Sequence, residues 1–186
     1  ALREKPDQSR YRKHELIEFI KKNGRPLTFK THQCAVNLGE KSNKVFLILK
    51  GGFVCQQYNL KTEKFRTVNF YLEKFHPMMT VLSSYFSDSK SECQLKAIMK
   101  SEVAVVKKEA ILNALEKDDK LRKAYEAERE YVILTLSEFH TKQVTLGSKD
   151  LFQYLLEECN EVVRRVPAKY IAEFMGVSAE WLSKIR

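Results

Sequence analysis

The spacing of hydrophobic residues changes twice along the chain. Residues 9–22 repeat apolar side chains at helical intervals, and Asn23-Gly24 ends that pattern. From residue 27 to about 106, short apolar runs rich in β-branched and aromatic residues alternate with turn sequences. The pattern predicts one N-terminal helix followed by an all-β sandwich or barrel.

A second helical pattern runs from Glu109 to about Leu146 without a glycine or proline. This length exceeds that of a typical globular helix. Its apolar seam needs a partner, which is either the chain's own β-domain or the same helix of a second subunit. If the partner is a second subunit, we expect the dimer contact to be formed by six residues spaced three or four apart: Leu121, Tyr125, Glu128, Val132, Thr135 and Phe139.

The dipeptide Gly147-Ser148 interrupts the helical pattern where the charge balance of the chain also changes. Domain boundaries fall in such breaks. We therefore expect residues 1–146 to form one domain with the long helix, and residues 147–186 to form a small helical domain.

Residues 167–186 fit a helix-turn-helix unit. Ala172 lets two helices cross closely, and Gly176 permits the backbone conformation of a tight turn. Pro167 suits a first helical turn, and Ser178 suits the cap of the second helix. The small core between the helices is predicted from four apolar positions: Ile171, Val177, Leu182 and Ile185.

The solvent face of the second helix is a candidate DNA-reading surface, because such helices enter the major groove with their first residues toward base edges. Glu180 could accept a hydrogen bond from a cytosine amino group, and Lys184 could donate a hydrogen bond to guanine or to phosphate. Arg186 and Ser178 could hold the DNA backbone, while Trp181 either meets thymine methyls or packs beneath the helix pair. The predicted DNA contacts are Lys169, Ser178, Ala179, Glu180, Trp181, Ser183, Lys184 and Arg186.

The overall charge favours a polyanionic partner, since 33 Lys and Arg face 24 Asp and Glu for a net charge of +9. However, residues 147–186 carry six basic and six acidic side chains. Cations from elsewhere in the chain or from a partner subunit must therefore help to neutralise DNA phosphates.

The mean hydropathy of −0.41 and the absence of a long apolar run argue against a membrane span, which needs about 20 apolar residues. Residues 1–7 have no apolar core of the kind found in a secretion signal. We expect a cytoplasmic protein without a membrane partner.

The sequence offers no motif for metal binding or catalysis. Cys34, Cys55, Cys93 and Cys159 are too far apart for a metal knuckle, and the four histidines are also scattered. No nucleotide loop, HExxH motif or Ser/His/Asp order is present. We therefore expect neither a metal nor a cofactor, and no enzymatic activity.

Two motifs, in this order, resemble the Crp/Fnr family of bacterial transcription regulators. The turn Gly39-Glu40-Lys41 precedes a hydrophobic run that ends in Lys-Gly, residues 45–51, and this arrangement is similar to the family's turn signature. Residues 167–186 resemble the family's DNA-reading motif. Residues 166–172 and 182–186 are similar to a subgroup common in Bacteroidetes.

The resemblance implies an α+β protein with an N-terminal cyclic-nucleotide-binding-like β-roll, which is a double-stranded β-helix with flanking helices. A long dimerisation helix and a C-terminal all-α helix-turn-helix domain would follow. It also implies a homodimer that binds double-stranded DNA, recruits or blocks RNA polymerase and responds to a small-molecule effector.

The sensor half departs from the family where the ligand would bind. Residues 75–86 lack the Gly-Glu pair that cradles the ribose, and Ser91-Glu92 replaces the Arg-Ser or Arg-Thr pair that holds the cyclic phosphate. A carboxylate repels a phosphate, and the bidentate guanidinium contact is lost. We expect no binding of cyclic AMP or cyclic GMP, and the effector stays unidentified.

A second function is compatible with the same residues. The roll could be a small-molecule or protein-interaction sensing module whose helical tail does not bind DNA. The zero net charge of residues 147–186 favours this alternative. Salt dependence distinguishes the two, because phosphate contacts make affinity fall steeply with ionic strength.

Overall fold

The computed structural model describes the backbone of residues 8–185 and the side chains of residues 14–185. The helices are α1 (Gln8–Asn23), α2 (Leu82–Ser87), α3 (Lys108–Leu115), α4 (Asp119–Thr145), α5 (Ser148–Glu158), α6 (Asn160–Arg165), α7 (Ala168–Met175) and α8 (Ala179–Ile185). The strands are β1 (Arg25–Phe29), β2 (Cys34–Val36), β3 (Lys44–Lys50), β4 (Gly52–Asn59), β5 (Lys64–Leu72), β6 (Met78–Met79), β7 (Cys93–Ala97) and β8 (Ser101–Lys107).

In this part of the chain the strands form two four-stranded antiparallel sheets. Their orders are β1-β8-β3-β6 and β2-β7-β4-β5. Alternation along β3 directs Phe46 and Ile48 to one face and Leu47 to the other. The predicted α+β class and β-roll are confirmed.

The space between the two sheets is filled by apolar side chains from both. Phe29 of β1 and Phe53 of β4 meet edge to face with ring centroids 5.5 Å apart. A separate cluster covers the outer face of the first sheet, where Leu47 packs with Ile20 of α1 and Leu121 of α4. The roll is thus a two-sided scaffold, with α1 and α4 on the outer face of the first sheet and the C-terminal helices on that of the second.

The long helix predicted over about 109–146 is two helices, because Asp118 interrupts it. Its extended backbone places the carboxylate at the start of α4, where Oδ1 accepts from the backbone N–H groups of Lys120 and Leu121 at 2.9 and 3.1 Å. An aspartate in this position is an N-cap that starts a new helix. The dipole of α4 therefore begins at residue 119, and α3 stays a separate two-turn element.

The third hydrophobic cluster joins the roll to the C-terminal helices. Phe70 of β5 and Phe139 of α4 both contact Phe174 of α7, with ring centroids 5.0 and 5.4 Å apart. The same cluster includes Leu155 of α5 and Leu182 of α8. Residue 147, where we predict the domain boundary, therefore lies in the link between α4 and α5, whereas the apolar core extends from the roll into the C-terminal helices.

Among the helices of the described residues, none combines the length and apolar character needed to cross a bilayer.

Candidate nucleic-acid interface

The pair α7 and α8 has the geometry predicted from the sequence. Gly176 ends α7 in the left-handed region with φ of 71°, and its N–H donates to the carbonyl of Glu173. The Ser178 hydroxyl accepts from the backbone N–H of Trp181 at 3.0 Å, which caps α8. Both local predictions are confirmed.

The two helices enclose a small apolar core. Ile171, Ala172 and Leu182 are buried, and Val177 and Ile185 pack at its edge. The close crossing depends on Ala172, since a larger side chain there would separate the helices. This core fixes the angle at which α8 presents its outer face.

The outer face of α8 is open to solvent. Trp181 is the exception, since it is half-buried and packs against the shared core, which favours the packing alternative over a thymine contact. Arg186 lies outside the described residues. The other predicted contacts are all exposed: Lys169, Ser178, Ala179, Glu180, Ser183 and Lys184.

Glu180 lies in the first turn of α8 as an ionised side chain. Hydrogen bonds from its own backbone N–H and from the Ser178 hydroxyl lower the pKa of this carboxyl. The carboxylate can accept a hydrogen bond from a base amino group but repels phosphate. Lys184, one turn later, is a donor. The face therefore combines one acceptor and one donor at helical spacing.

Helix α7 is docked on the roll through the carboxylate of Glu173. Its Oε2 accepts from Gln56 Nε2 at 2.8 Å and from Thr67 Oγ1 at 2.7 Å. Gln56 is itself fixed, because its Oε1 accepts from Gln94 Nε2 at 3.0 Å. A chain of buried polar groups thus runs from β7 through β4 to α7.

Two arginines add contacts at the edges of this docking surface. Arg66 Nε donates to the backbone carbonyl of Glu173 at 3.3 Å, and Arg165 Nη1 lies 2.7 Å from Glu73 Oε1. Burial alone would raise the pKa of Glu73, but hydrogen bonds from Arg165 and from the Gly51 N–H, with the Arg165 charge, lower it. No local pattern predicts these pairs, since the partners are 107 and 92 residues apart in the sequence.

The stripe on α4 that we predicted as a dimer contact faces the chain's own body. Leu121, Glu128 and Phe139 are buried within the single chain, and Tyr125, Val132 and Thr135 are half-buried. The roll and α1 cover part of this seam within the single chain, because their apolar side chains pack against it. Outside this stripe, α4 exposes Ile133, Leu134 and Val144, which are 63–68% accessible, and Ile133 also lines the cavity between α4 and the first sheet.

A cavity of about 310 Å³ lies on the outer side of the first sheet, between α1, α2 and α4. Its wall is mostly apolar, with polar groups from Glu128 and Arg129 of α4. Tyr85 and Tyr125 meet at its side through their hydroxyl groups, 3.3 Å apart. A cavity of this size and lining can hold a small molecule.

The segment around Ser91 and Glu92, which we compared with the family's phosphate-binding pair, makes local hydrogen bonds. The backbone N–H of Ser91 donates to the carbonyl of Glu40, and its hydroxyl donates to the carbonyl of Cys93. Glu92 is exposed. The Cys55 and Cys159 side chains are buried, and no cluster of metal-ligating side chains occurs within residues 14–185.

No family model and no curated protein matches the sequence. Solved structures do match. FixK2 from Bradyrhizobium japonicum aligns with a TM-score of 0.67 at 15% identity, covering 87% of this chain and 82% of its own. The c-di-GMP-responsive global regulator CLP from Xanthomonas campestris aligns with a TM-score of 0.68 at 11% identity, covering 92% and 88%.

A third structure, from Eubacterium rectale and assigned to the crp/fnr family of transcriptional regulators, aligns with a TM-score of 0.65 at 12% identity. It covers 90% of this chain, and the chain covers 79% of it. Similarity at this level of identity establishes the fold across both halves of the molecule. The chain therefore has the fold of the Crp/Fnr transcription regulators.

Proposed function

We propose that this protein is a sequence-specific, double-stranded-DNA-binding transcription regulator. The observation that carries the proposal is the α8 face, which stays exposed although α7 is docked on the roll. Its acceptor Glu180 and donor Lys184 stand on a helix whose angle is fixed by a buried core. The Bacteroidetes subgroup, suggested by residues 166–172 and 182–186, stays a prediction.

Selection of bound duplexes from a random-sequence pool tests DNA binding. We expect the full chain to enrich one motif, and a Lys184→Ala variant to bind that motif more weakly. A matched control is Lys120→Ala in the first turn of α4, which removes the same charge from an exposed site. Failure of the unsubstituted chain to enrich or retain any duplex at low salt would favour the sensing-module alternative.

We propose that the protein acts as a dimer through the exposed ridge of α4. Ile133, Leu134 and Val144 would bury their side chains against the same ridge of a second copy, because a two-fold contact pairs identical surfaces. Two helix-turn-helix units would then meet half-sites about 34–36 Å apart.

The dimer is tested by light scattering coupled to gel filtration. We expect a dimer for the unsubstituted chain and a monomer for Ile133→Glu/Leu134→Glu. The control is Leu38→Glu, a single substitution of an exposed leucine on the roll. A monomer at all concentrations for the unsubstituted chain would overturn this proposal.

We propose that the cavity between the first sheet and α4 holds the small-molecule effector. Its wall joins the sensor to α4, so an occupant would change the position of that helix. Thermal-shift screening against a metabolite panel should find a ligand, and cyclic AMP should give no shift. We further propose that the protein works in the cytoplasm and has RNA polymerase among its partners, because a transcription regulator acts where DNA and polymerase meet.

A further inference from the structure

The α8 surface alone is poorly suited to bind a polyanion. Among the described residues of the helix pair, Lys169 and Lys184 are basic whereas Glu173 and Glu180 are acidic. Neutralising phosphates with Lys and Arg releases counterions, and this supplies much of the affinity for DNA. The missing positive charge must come from a neighbouring part of the molecule.

The hairpin that joins β4 and β5 lies next to the helix pair. From β5, Arg66 Nε donates to the carbonyl of Glu173 in α7. Its guanidinium also lies against Gly176 in the turn before α8, so closely that a Cβ on that glycine would collide with it. A cation of the roll is therefore in contact with the turn that leads into the DNA-reading helix.

Two more cations accompany Arg66 on this hairpin. Lys64 lies two residues earlier on the same strand, hence on the same face, and Lys61 lies in the turn. All three side chains are exposed, and Glu63 is the one acidic residue between them. The hairpin has a local excess of two positive charges beside an electrically neutral C-terminal domain.

The hairpin is held in place rather than left loose. Asn59 pairs with Lys64 across the strands, and its Oδ1 accepts from the backbone N–H groups of Lys61 and Thr62 at 2.9 and 3.1 Å. The rings of Tyr58 and Phe65 contact each other across the two strands, with centroids 5.1 Å apart and ring planes at 59°. An ordered cationic hairpin loses little conformational entropy when it meets a ligand.

We propose that Lys61, Lys64 and Arg66 form a second part of the DNA interface, in which the roll contacts backbone phosphates beside the groove occupied by α8. This inference rests on the proposed DNA-binding function. The lysines would act as point charges, and Arg66 would offer a planar pair of donors to a phosphate. Such contacts raise affinity for every sequence, whereas base preference stays with α8.

The test measures how affinity for a fluorescein-labelled duplex of mixed sequence depends on salt. Lys61→Gln/Lys64→Gln/Arg66→Gln is compared with Lys117→Gln/Lys120→Gln/Lys123→Gln. The second set removes three exposed positive charges from the turn before α4 and from its first two turns. Lys120 lies about 28 Å along the helix from Phe139, which is the α4 residue in contact with α7. Each lost phosphate contact should reduce the slope of log K against log salt by about 0.9.

We expect the hairpin variant to bind more weakly at low salt with a slope shallower by about 2 to 3 per chain, while the control set keeps the parent slope. Equal slopes and affinities for the two variants would overturn the inference while leaving the proposed function standing. If the unsubstituted chain binds no duplex, the proposed function and this inference are both wrong.

Loss of folding is separated from loss of contact by thermal unfolding of each variant. Gln at position 66 keeps an N–H donor for the carbonyl of Glu173. If the triple variant is nonetheless destabilised, Lys61→Gln/Lys64→Gln is used alone. We expect this double variant to have a slope of log K against log salt that is shallower by about 1 to 2, with an unchanged melting temperature. An unchanged slope for the folded pair would contradict a role for the two lysines.

Discussion

Helices α7 and α8 are adjacent in sequence and nearly equal in length, yet the protein uses them in opposite ways. Most of α7 is buried, with Phe174 in the shared core and Glu173 bonded to the roll. Most of α8 is exposed, with Leu182 as its single fully buried side chain. The contrast indicates that α7 positions the unit and α8 is left available to a ligand.

The largest expected effect comes from truncating the α7 anchor. Phe174→Ala removes a ring that contacts both Phe70 and Phe139, so it should lower the free energy of unfolding by about 3–5 kcal/mol. Phe86→Ala, at a ring that is 49% exposed, is the matched control and should cost about 1 kcal/mol or less. Urea unfolding measures both, and equal costs would show that α7 is not an anchor.

The polar contact of α7 should have the next largest effect. Glu173→Ala leaves Gln56 and Thr67 without their acceptor, which should cost about 1–3 kcal/mol in unfolding free energy. Glu173→Gln retains an amide oxygen as acceptor and should cost less. Glu180→Ala on α8 should change stability little, because that side chain is exposed. A Glu180→Ala variant as unstable as Glu173→Ala would remove the contrast between the helices.

The turn between the helices gives a smaller effect. Gly176 and Gly39 both have positive φ, so alanine at either position should cost about 1–2 kcal/mol in backbone strain. At Gly176 the new methyl group also displaces Arg66, whereas at Gly39 it meets open space. Gly176→Ala should therefore be the more destabilising variant, and adding Arg66→Ala should remove the difference. Chemical denaturation of the three variants measures this.

The smallest expected effect is a pH dependence at the Glu73–Arg165 pair. Because the folded state lowers the pKa of Glu73, its contribution is complete above the ordinary value of 4.5 and is lost as pH falls through the lowered pKa. The parent should lose about 0.2–1 kcal/mol more than Glu73→Gln on acidification through this range. Parallel stability profiles for the two proteins would exclude the pair as a source of docking energy.

The sequence was informative where the determinants are local. Gly176 and Ser178 act within a few residues of their own positions, so the turn and its cap could be predicted from spacing. The contacts that dock α7 could not, because Gln56 and Thr67 lie 117 and 106 residues from Glu173. No local rule links a glutamine on a strand to a glutamate on a distant helix.

The break between α3 and α4 was not predicted, for a different reason. Residues 109–146 contain no Gly or Pro, but a capping aspartate also ends one helix and starts the next. Asp118 was the available signal. The α4 stripe was correctly identified as apolar, but spacing shows that a face must be covered and does not show by what. Within the single chain, three of its six residues are buried and the other three are half-buried.

The central claim is that the exposed face of α8 reads DNA sequence, and it is tested most directly by base preference. The measurement is the ratio of affinities for the selected duplex and for its scrambled version. It compares the parent with Glu180→Ala/Lys184→Ala, and a control, Lys120→Ala/Glu126→Ala, removes the same two charges from α4. We predict that the preference falls at least about fivefold in the α8 variant alone. An α8 variant that keeps the parent's preference would contradict the claim.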